Sequence, residues 1–179
     1  MKRILLLSVL AVIQFLPVTA QFLGDGSMGN PYRGTLAGAF TISGTKYFTG
    51  TIIIDNEQLT IAPGTILIAA TGTSGILVNG TGQLNAQGTS SSRILITSNS
   101  DLDGTYGEPT DTWGNITLIS SGVSNISYCN IEDGRRLANR IGYYGGGLYL
   151  GTSSVTVTST TIRNCIAGYG GAIIVAGTT

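Results

Sequence analysis

The chain repeats the segment YGGGLYL, at residues 144–150, as YGGAIIV at residues 169–175. An earlier segment, QLTI at residues 58–61, returns as QLNA at residues 83–86 with the same period. Repeats of this length are typical of solenoids, in which each unit buries its apolar face only by stacking on the next unit. The units are short strands separated by Gly, Asn, Ser and Thr, and no apolar pattern has the length of a helix. We therefore predict an all-β fold, a parallel β-helix of roughly five or six coils with about 25 residues per coil.

Short apolar segments from residue 51 onward predict the strands of the coils. Because side chains alternate between the two faces of a strand, the same segments predict which residues stack inside the solenoid. The predicted strands are 52–54, 59–61, 66–68, 76–78, 84–86, 94–97, 116–118, 124–128, 148–150, 155–157 and 173–175. The predicted inward stacks are Ile116 with Leu148 and Ile173, Leu118 with Leu150 and Val175, Ile126 with Val157, and Ile131 with Ile162. The residues predicted to point outward are Thr117, Tyr149 and Ile174.

Residues 1–20 have the features of a secretory signal peptide. Lys2 and Arg3 form a short basic region, residues 4–16 are mainly apolar, and small residues occupy positions 18–20 before the predicted cleavage point. The apolar run is shorter than the ~20 residues that span a bilayer, and no later segment of the sequence could cross a membrane. We therefore expect an exported protein that is secreted or held at the cell surface, outside the cell or at a bacterial outer membrane.

The rest of the chain divides into an irregular entrance and a regular body. Residues 21–50 are rich in turn-forming residues and contain two short alternating segments, at 40–42 and 46–48. We interpret residues 21–50 as an N-terminal cap, because an uncovered solenoid end exposes unpaired strand edges. Residues 51–179 form the predicted β-helix. The sequence stops just after a strand, so we expect this chain to be the N-terminal portion of a larger protein, truncated at its C-terminus.

Composition excludes several classes of function. The chain has no net charge and only 10% charged residues, so it offers no basic patch for nucleic acid. It also contains no His, which removes His-based acid–base chemistry and His metal ligands. The 27 glycines among 179 residues suit a fold with many tight turns and close backbone contacts.

The two cysteines of this exported chain invite a disulfide, but the repeat argues against one. If Ile131 stacks on Ile162, the residue stacked on Cys129 is Thr160 and not Cys165. The extended strand between Thr160 and Cys165 spans roughly 15 Å. Because a disulfide needs Cα atoms within about 7 Å, we predict two free and mostly buried thiols.

The segment IRNCIAGYGGAI, at residues 162–173, resembles the right-handed parallel β-helix repeat of polymorphic outer-membrane proteins and related secreted adhesins. That repeat combines a Phe-x-x-Asn element with Gly-Gly-Ala and an aliphatic residue. Residues 170–173 match the second element, whereas Ile162 stands in place of Phe and Cys165 in place of Asn. Other segments are similar to the opening coils of large surface proteins of Bacteroidetes-type bacteria, namely LTIAPGT at 59–65 and WGNI at 113–116. The resemblance covers most of residues 51–179 and implies a right-handed coil, whereas fold alone does not define a function.

An acidic insertion at residues 98–112 contains the candidate metal site. Asn99, Asp101 and Asp103 alternate there, and calcium prefers six to eight hard oxygen ligands of this kind. The EF-hand pattern is incomplete, because Thr112 stands where a bidentate Glu would be needed. We take Asp101 and Asp103 as candidate calcium ligands, with a solvated loop closed by Asx turns as the alternative.

An enzyme acting on polysaccharide is the alternative function, because polysaccharide lyases and some glycosidases share the β-helix class. Arg135, Arg136 and Arg140 could supply a lyase base beside Glu132 and Asp133. Glycosidases need carboxyl groups about 5–9.5 Å apart around the bond they cleave, whereas adjacent strand residues point to opposite faces. We interpret this segment as a charged corner and assign no catalytic residue.

Tyrosines gather near the second long loop of the chain, and Tyr143, Tyr144 and Tyr149 are the candidate ligand-binding residues, with Tyr169 nearby. Exposed aromatic rings can stack on sugars or anchor a protein partner, and the alternative is that they pack on the loop edge and shield it. The predicted function is structural or adhesive: a surface module that displays its loops to a polysaccharide or to a host or neighbouring surface protein. No cofactor is expected other than the candidate calcium ion.

Overall fold

The computed structural model describes residues 21–100, 103, 105, 108, 111–136, 144–151 and 154–176. These residues form strands, turns and bends, and they contain no helix. The prediction of an all-β protein is therefore confirmed. The signal peptide predicted for residues 1–20 lies outside the described residues.

The described strands are short and lie between turns. Their bounds are β1 (Phe22–Leu23), β2 (Tyr32–Thr35), β3 (Phe40–Ile42), β4 (Thr45–Asp55), β5 (Gln58–Ile61), β6 (Ile66–Ala69), β7 (Gly75–Asn79), β8 (Gln83–Gln87), β9 (Ile94–Ser98), β10 (Ile116–Leu118), β11 (Val123–Ser127), β12 (Cys129–Glu132), β13 (Arg135–Arg136), β14 (Leu148–Leu150), β15 (Ser154–Thr158), β16 (Thr161–Arg163), β17 (Ile166–Ala167) and β18 (Ile173–Val175).

The strands form three sheets, and the largest is open and curled. Nine of its eleven strands follow the order β16-β12-β9-β6-β4-β7-β10-β14-β18; the other two are β2, which pairs with β4, and β1, which pairs with β2. A second sheet has the order β15-β11-β8-β5-β3, and a third pairs β13 with β17. Every pair of these strands is parallel except β1 with β2.

Three stacks of strands recur in a fixed order along the chain, and we call them ladders 1, 2 and 3. Ladder 1 is the five-stranded sheet. Ladder 2 contains residues 45–48 of β4 followed by β6, β9, β12 and β16, and ladder 3 contains residues 51–55 of β4 followed by β7, β10, β14 and β18. The long strand β4 thus serves two ladders, and Gly50 adopts a left-handed φ of 59° between them. Each passage through ladders 1, 2 and 3 stacks on the previous passage.

The observed registers confirm the predicted stacks. Ile116 pairs with Leu148, which pairs with Ile173, and the neighbouring stack continues through Leu118 and its partners. Ile126 pairs with Val157 and Ile131 with Ile162, as the sequence predicted. Ile173 and Val175 are nevertheless 39% and 69% exposed, because β18 is an edge strand with no described strand on its other side.

The spacing between stacked residues varies along the chain. It equals the period of the repeated segments from Leu59 to Leu84 and from Leu148 to Ile173. It is much longer from Ile76 to Ile116, because the segment between β9 and β10 is inserted into that passage. The repeat period therefore gives the spacing of stacked residues in passages without an insertion. Inserted segments make that spacing longer in the other passages.

Each strand predicted from residue 51 onward coincides with an observed strand. The prediction for 124–128 misses a boundary, because Tyr128 has a left-handed φ of 49° and separates β11 from β12. The segments at 40–42 and 46–48 already pair within ladders 1 and 2, so the parallel stacking begins before Thr51.

The interior is built from the inward side chains of the ladders, and it contains two groups of aromatic contacts. Phe22, Tyr32 and Phe40 pack together at the N-terminal end, with ring centroids 4.9–5.4 Å apart. Deeper in the molecule, the fully buried Trp113 meets Phe48 edge to face, with ring centroids 5.9 Å apart.

Both cysteines are free thiols, which confirms the prediction made from the repeat. The backbone N–H of Cys129 donates to Thr160 Oγ1 at 3.4 Å, so Thr160 is the residue stacked on Cys129. Cys129 is buried and Cys165 is half-buried. Burial raises the pKa of the Cys129 thiol to about 11 and also raises the pKa of Cys165, so neither thiol is ionised near neutral pH.

Candidate functional site

Three tyrosine rings meet on the outside of ladder 3, and we call them the tyrosine cluster. The ring of Tyr144 lies 6.2 Å from that of Tyr149 and 5.6 Å from that of Tyr169, measured between centroids, with tilts of 36° and 34°. Tyr144 is 39% exposed and Tyr169 is 64% exposed. The cluster therefore presents aromatic surface to solvent.

The repeated YGG segments place two of these rings side by side. Gly145 and Gly170, which follow Tyr144 and Tyr169, both have left-handed φ values, of 61° and 60°. Glycine adopts such values without steric cost, and both tyrosines lead into the same kind of turn. The N–H of Gly145 donates to the carbonyl oxygen of Tyr169 at 3.0 Å, which locks the second turn onto the first.

Asn115 connects the cluster to the preceding strand. Its Nδ2 donates to the carbonyl oxygen of Gly145 at 2.7 Å and to that of Tyr144 at 3.3 Å. Thr117 lies in register with Tyr149, and its hydroxyl donates to Asn115 Oδ1 at 2.9 Å. Asn115 and Thr117 also line a shallow groove of about 170 Å³ that adjoins the cluster, together with Thr51, Thr73, Ser74, Gly75, Ile76, Leu77 and Gly114.

The structure thus brings together two of the three candidate ligand-binding tyrosines, Tyr144 and Tyr149. The third, Tyr143, lies outside the described residues. Tyr169 makes the shorter ring contact of the two, and it is the repeat counterpart of Tyr144. The repeat spacing therefore already contained the signal that places Tyr169 in this cluster.

A second feature is a cleft of about 390 Å³, which we call the acidic cleft. It brings together groups from the insertion before β10 and from the corner after β12. Its lining residues are Glu108, Asp111, Thr112, Asp133, Arg135, Asn164, Cys165 and Ile166. Sequence reasoning did not assemble this set, because its members come from separate passages of the chain.

Asp111 uses its carboxylate to hold the insertion in place. It is 2% exposed and accepts a hydrogen bond from the backbone N–H of Ser100 at 2.7 Å and another from that of Glu108 at 3.3 Å. Both oxygen atoms therefore have backbone donors. Asp111 closes the insertion on itself and at the same time forms one wall of the acidic cleft.

Asp133 is an acid of the cleft with a raised pKa. Its Oδ2 accepts from the hydroxyl of Thr97 at 2.7 Å, and its Oδ1 accepts from Asn164 Nδ2 at 3.4 Å. Burial raises the pKa of this carboxyl, the two hydrogen bonds oppose that rise, and the negative charges of Glu132 and Asp111 add to it. A carboxyl of this kind holds its proton to higher pH than an exposed Asp.

Adjacent acids at this corner point to different partners. Glu132 forms an ion pair with Arg163, with an N–O distance of 2.8 Å, whereas Asp133 turns into the cleft. Arg135 also lines the cleft. Of the other candidate lyase bases, Arg140 lies outside the described residues, and only the backbone of Arg136 is described.

The candidate calcium ligands are not brought together by the described residues. Asp103 is exposed, and its Oδ1 accepts from the backbone N–H of Thr105 at 2.7 Å, which is the bond of an Asx turn. Asp101 lies outside the described residues. Within the described part of the chain, no group of three or more acids or cysteines is placed to hold a metal ion. Calcium binding by Asp101 and Asp103 stays a prediction.

Comparisons with known proteins gave no match to this chain, whether with protein families, with curated proteins or with solved structures. The described residues also contain no helix that is long and apolar enough to cross a membrane.

Proposed function

We propose that this chain is an exported, right-handed parallel β-helix that acts as a structural or adhesive module and presents the tyrosine cluster to a glycan or protein partner. The solenoid part of the proposal is supported by the order of the ladders, since each passage of the chain visits ladders 1, 2 and 3 in turn. It is also supported by parallel registers that connect consecutive passages in all three ladders. Right-handedness follows from the resemblance to polymorphic outer-membrane proteins and secreted adhesins.

Export rests on residues 1–20, whose basic start, apolar run and small residues are those of a signal peptide. The resemblance to bacterial surface proteins favours a cell-surface or secreted location. An external location also suits the composition, because only 10% of the residues are charged and many hydroxyl and amide side chains are available for contacts.

The tyrosine cluster is the single observation that carries the binding function. Tyrosine combines a flat apolar face with a hydroxyl group, so it contacts the apolar face of a sugar ring and its hydroxyls at once. Thr117, in register with Tyr149, adds a hydroxyl group on the same face, whereas Asn115 is 3% exposed and holds the backbone of the cluster. A glycan is the favoured partner, because the adjoining groove of about 170 Å³ combines hydroxyl side chains with apolar surface, as a sugar ring does.

Replacing Tyr144 with alanine is expected to weaken glycan binding about tenfold, because central aromatic residues of a binding site carry most of its free energy. The measurement is a glycan-array screen of the purified chain, followed by titration of the best ligand with wild type and variant. Tyr47→Ala is the matched control, since Tyr47 is half-buried on β4 and distant in sequence from the cluster.

Equal binding by wild type and Tyr144→Ala would contradict the role of the tyrosine cluster. Running the array with calcium and with a chelator tests the Asp101 and Asp103 prediction separately. A loss of binding on chelation would support a calcium site at Asp101 and Asp103, and unchanged binding would contradict a role for that site in glycan binding.

A second candidate function is catalysis on polysaccharide, and the acidic cleft is the observation that favours it. The cleft combines two buried acids, Asp111 and Asp133, with the cation of Arg135. A carboxyl with a raised pKa can act as a general acid. Because Asp111 is occupied by backbone donors, Asp133 is the acid that this hypothesis requires.

Replacing Asp133 with asparagine is expected to abolish any such activity and to change the pH dependence of stability. The pKa of Asp133 is raised in the folded state, so the folded protein binds this proton more tightly than the unfolded chain does. Its contribution to stability is therefore complete below the unfolded value of 3.8 and is lost as the pH rises through the raised folded value. Asparagine at position 133 has no carboxyl proton to lose. The free energy of unfolding of the variant, relative to that of wild type, should therefore rise as the pH rises through the raised pKa of Asp133.

The measurement combines thermal unfolding from acidic to neutral pH with assays of reducing ends and unsaturated sugars released from polysaccharides. Asparagine suits this site sterically, because residue 133 has a left-handed φ of 64°. A stability difference that does not change with pH would contradict the raised pKa. Sugar release by the Asp133→Asn variant would contradict the hypothesis that the acidic cleft is the catalytic site.

A further inference from the structure

The outer face of ladder 1 carries a regular array of uncharged polar side chains, which we call the amide face. Its central row runs across all five strands of the ladder, one residue from each strand. In register order, the row is Thr41, Thr60, Asn85, Asn125 and Thr156. Successive strands of a sheet lie about 4.8 Å apart, so the row offers a hydrogen-bonding group at that interval.

Amide side chains on this face are already linked to one another. Gln58 Nε2 donates to Gln83 Oε1 at 3.3 Å, and Asn125 Nδ2 donates to Asn85 Oδ1 at 3.3 Å. Each amide has two N–H donors and an oxygen with two lone pairs, so these bonds use only part of its capacity. The links orient the amides across strands and leave donors and acceptors for a ligand.

A shallow groove of about 520 Å³ lies over this part of the face. Its lining residues are Gln58, Thr60, Ile61, Pro63, Gln83, Asn85, Gln87, Val123 and Asn125. None of these described lining residues carries a charge, and Val123 adds an exposed apolar patch. The groove thus combines uncharged polar groups with some apolar contact surface.

We propose that the amide face binds a neutral, unbranched polysaccharide chain that lies across the strands of ladder 1. Such a polymer repeats its hydroxyl groups regularly and matches a row of amide and hydroxyl side chains. Its sugar rings also have apolar faces that fit beside Val123 and Pro63. This site is distinct from the tyrosine cluster, because it lies on ladder 1 and the cluster lies on ladder 3.

The uncharged lining of the groove distinguishes among its possible ligands. An anionic polysaccharide or a nucleic acid gains affinity from Lys and Arg, and none lines the groove. A protein partner usually requires buried aromatic or Arg anchors, and the described lining residues include neither. An uncharged polymer needs neither cationic side chains nor aromatic anchors. Its binding should therefore be almost independent of salt.

The test is electrophoresis of the purified chain in native gels that contain hydroxyethyl cellulose, mixed-linkage β-glucan or linear glucomannan, with polygalacturonate as the anionic comparison. We expect at least one neutral polymer to retard the wild-type chain equally at low and high salt. The double variant Asn85→Val/Asn125→Val should lower the affinity about tenfold, the effect of losing two hydrogen bonds. Thr161→Val is the matched control, since Thr161 is an exposed strand residue on ladder 2 and belongs neither to the amide face nor to the lining of the groove.

Valine favours extended strands, so the double variant is expected to fold, and its circular dichroism and melting temperature check this. If it fails to fold, Gln58→Leu/Gln83→Leu removes the neighbouring amide pair and carries the same expectation. The proposal is overturned if no neutral polymer retards wild type, or if the amide variants are retarded equally. It is also overturned if Tyr144→Ala alone abolishes retardation, because that result assigns the binding to the tyrosine cluster.

Discussion

Replacing Trp113 with alanine is expected to destabilise the fold by about 3–5 kcal/mol, a large part of the stability of a domain of this size. The side chain is fully buried and packs edge to face on Phe48. Its Nε1 donates to the carbonyl oxygen of Glu132 at 2.6 Å, so alanine would leave both a cavity and a buried acceptor without its donor. Urea unfolding followed by circular dichroism measures the loss.

The backbone of Trp113 also holds this corner of the chain, through hydrogen bonds that alanine would keep. Its N–H donates to the carbonyl oxygen of Asp133 at 3.2 Å, and its own carbonyl accepts from the N–H of Arg135 at 2.6 Å. The indole adds its own hydrogen bond to the carbonyl oxygen of Glu132, so side chain and backbone together hold the corner that carries the acidic cleft. Trp113→Phe keeps most of the volume and should lose less stability, whereas the exposed Tyr169→Ala should change it by no more than about 0.5 kcal/mol. A loss below about 1 kcal/mol in Trp113→Ala would contradict this account.

The sequence predicted the stacks of the ladders well, because two independent patterns agreed there. Ile116, Leu148 and Ile173 alternate with polar or outward residues, and the repeated glycine segments align Leu148 with Ile173. The same segments place Tyr144 beside Tyr169. Where alternation and repeat coincide, only one register buries the apolar side chains, since a shift of one residue would turn them outward.

The acidic cleft and the amide face could not be derived in this way. Asp111 and Asp133 meet because Trp113 pairs with Gly134, and no repeated segment marks that register. Asn85 pairs with Asn125 across a longer stretch of chain than the period of the repeated segments predicts. The insertion before β10 lengthens the passage between Asn85 and Asn125, and only the folded chain shows which residues then come into register.

The close stacking of passages explains why glycine is needed at position 134. A Cβ atom at Gly134 would collide with the carbonyl oxygen of Gly146 and would lie 2.8 Å from the carbonyl carbon of the same residue. On another side it would approach the carbonyl oxygen of Gly114 at 3.3 Å. These are backbone atoms of stacked passages, so no side chain can move aside to make room.

Gly134→Ala is therefore expected to destabilise the protein by about 3 kcal/mol, the upper part of the range for overpacking a tight interior. Gly29→Ala is the matched control, because a Cβ atom there meets no heavy atom within 4 Å. Its φ is not left-handed, so alanine should change stability by no more than about 0.5 kcal/mol. Thermal and urea unfolding of both variants measure the difference. Similar stabilities for the two variants would mean that the passages are not packed as closely at Gly134 as the ladders require.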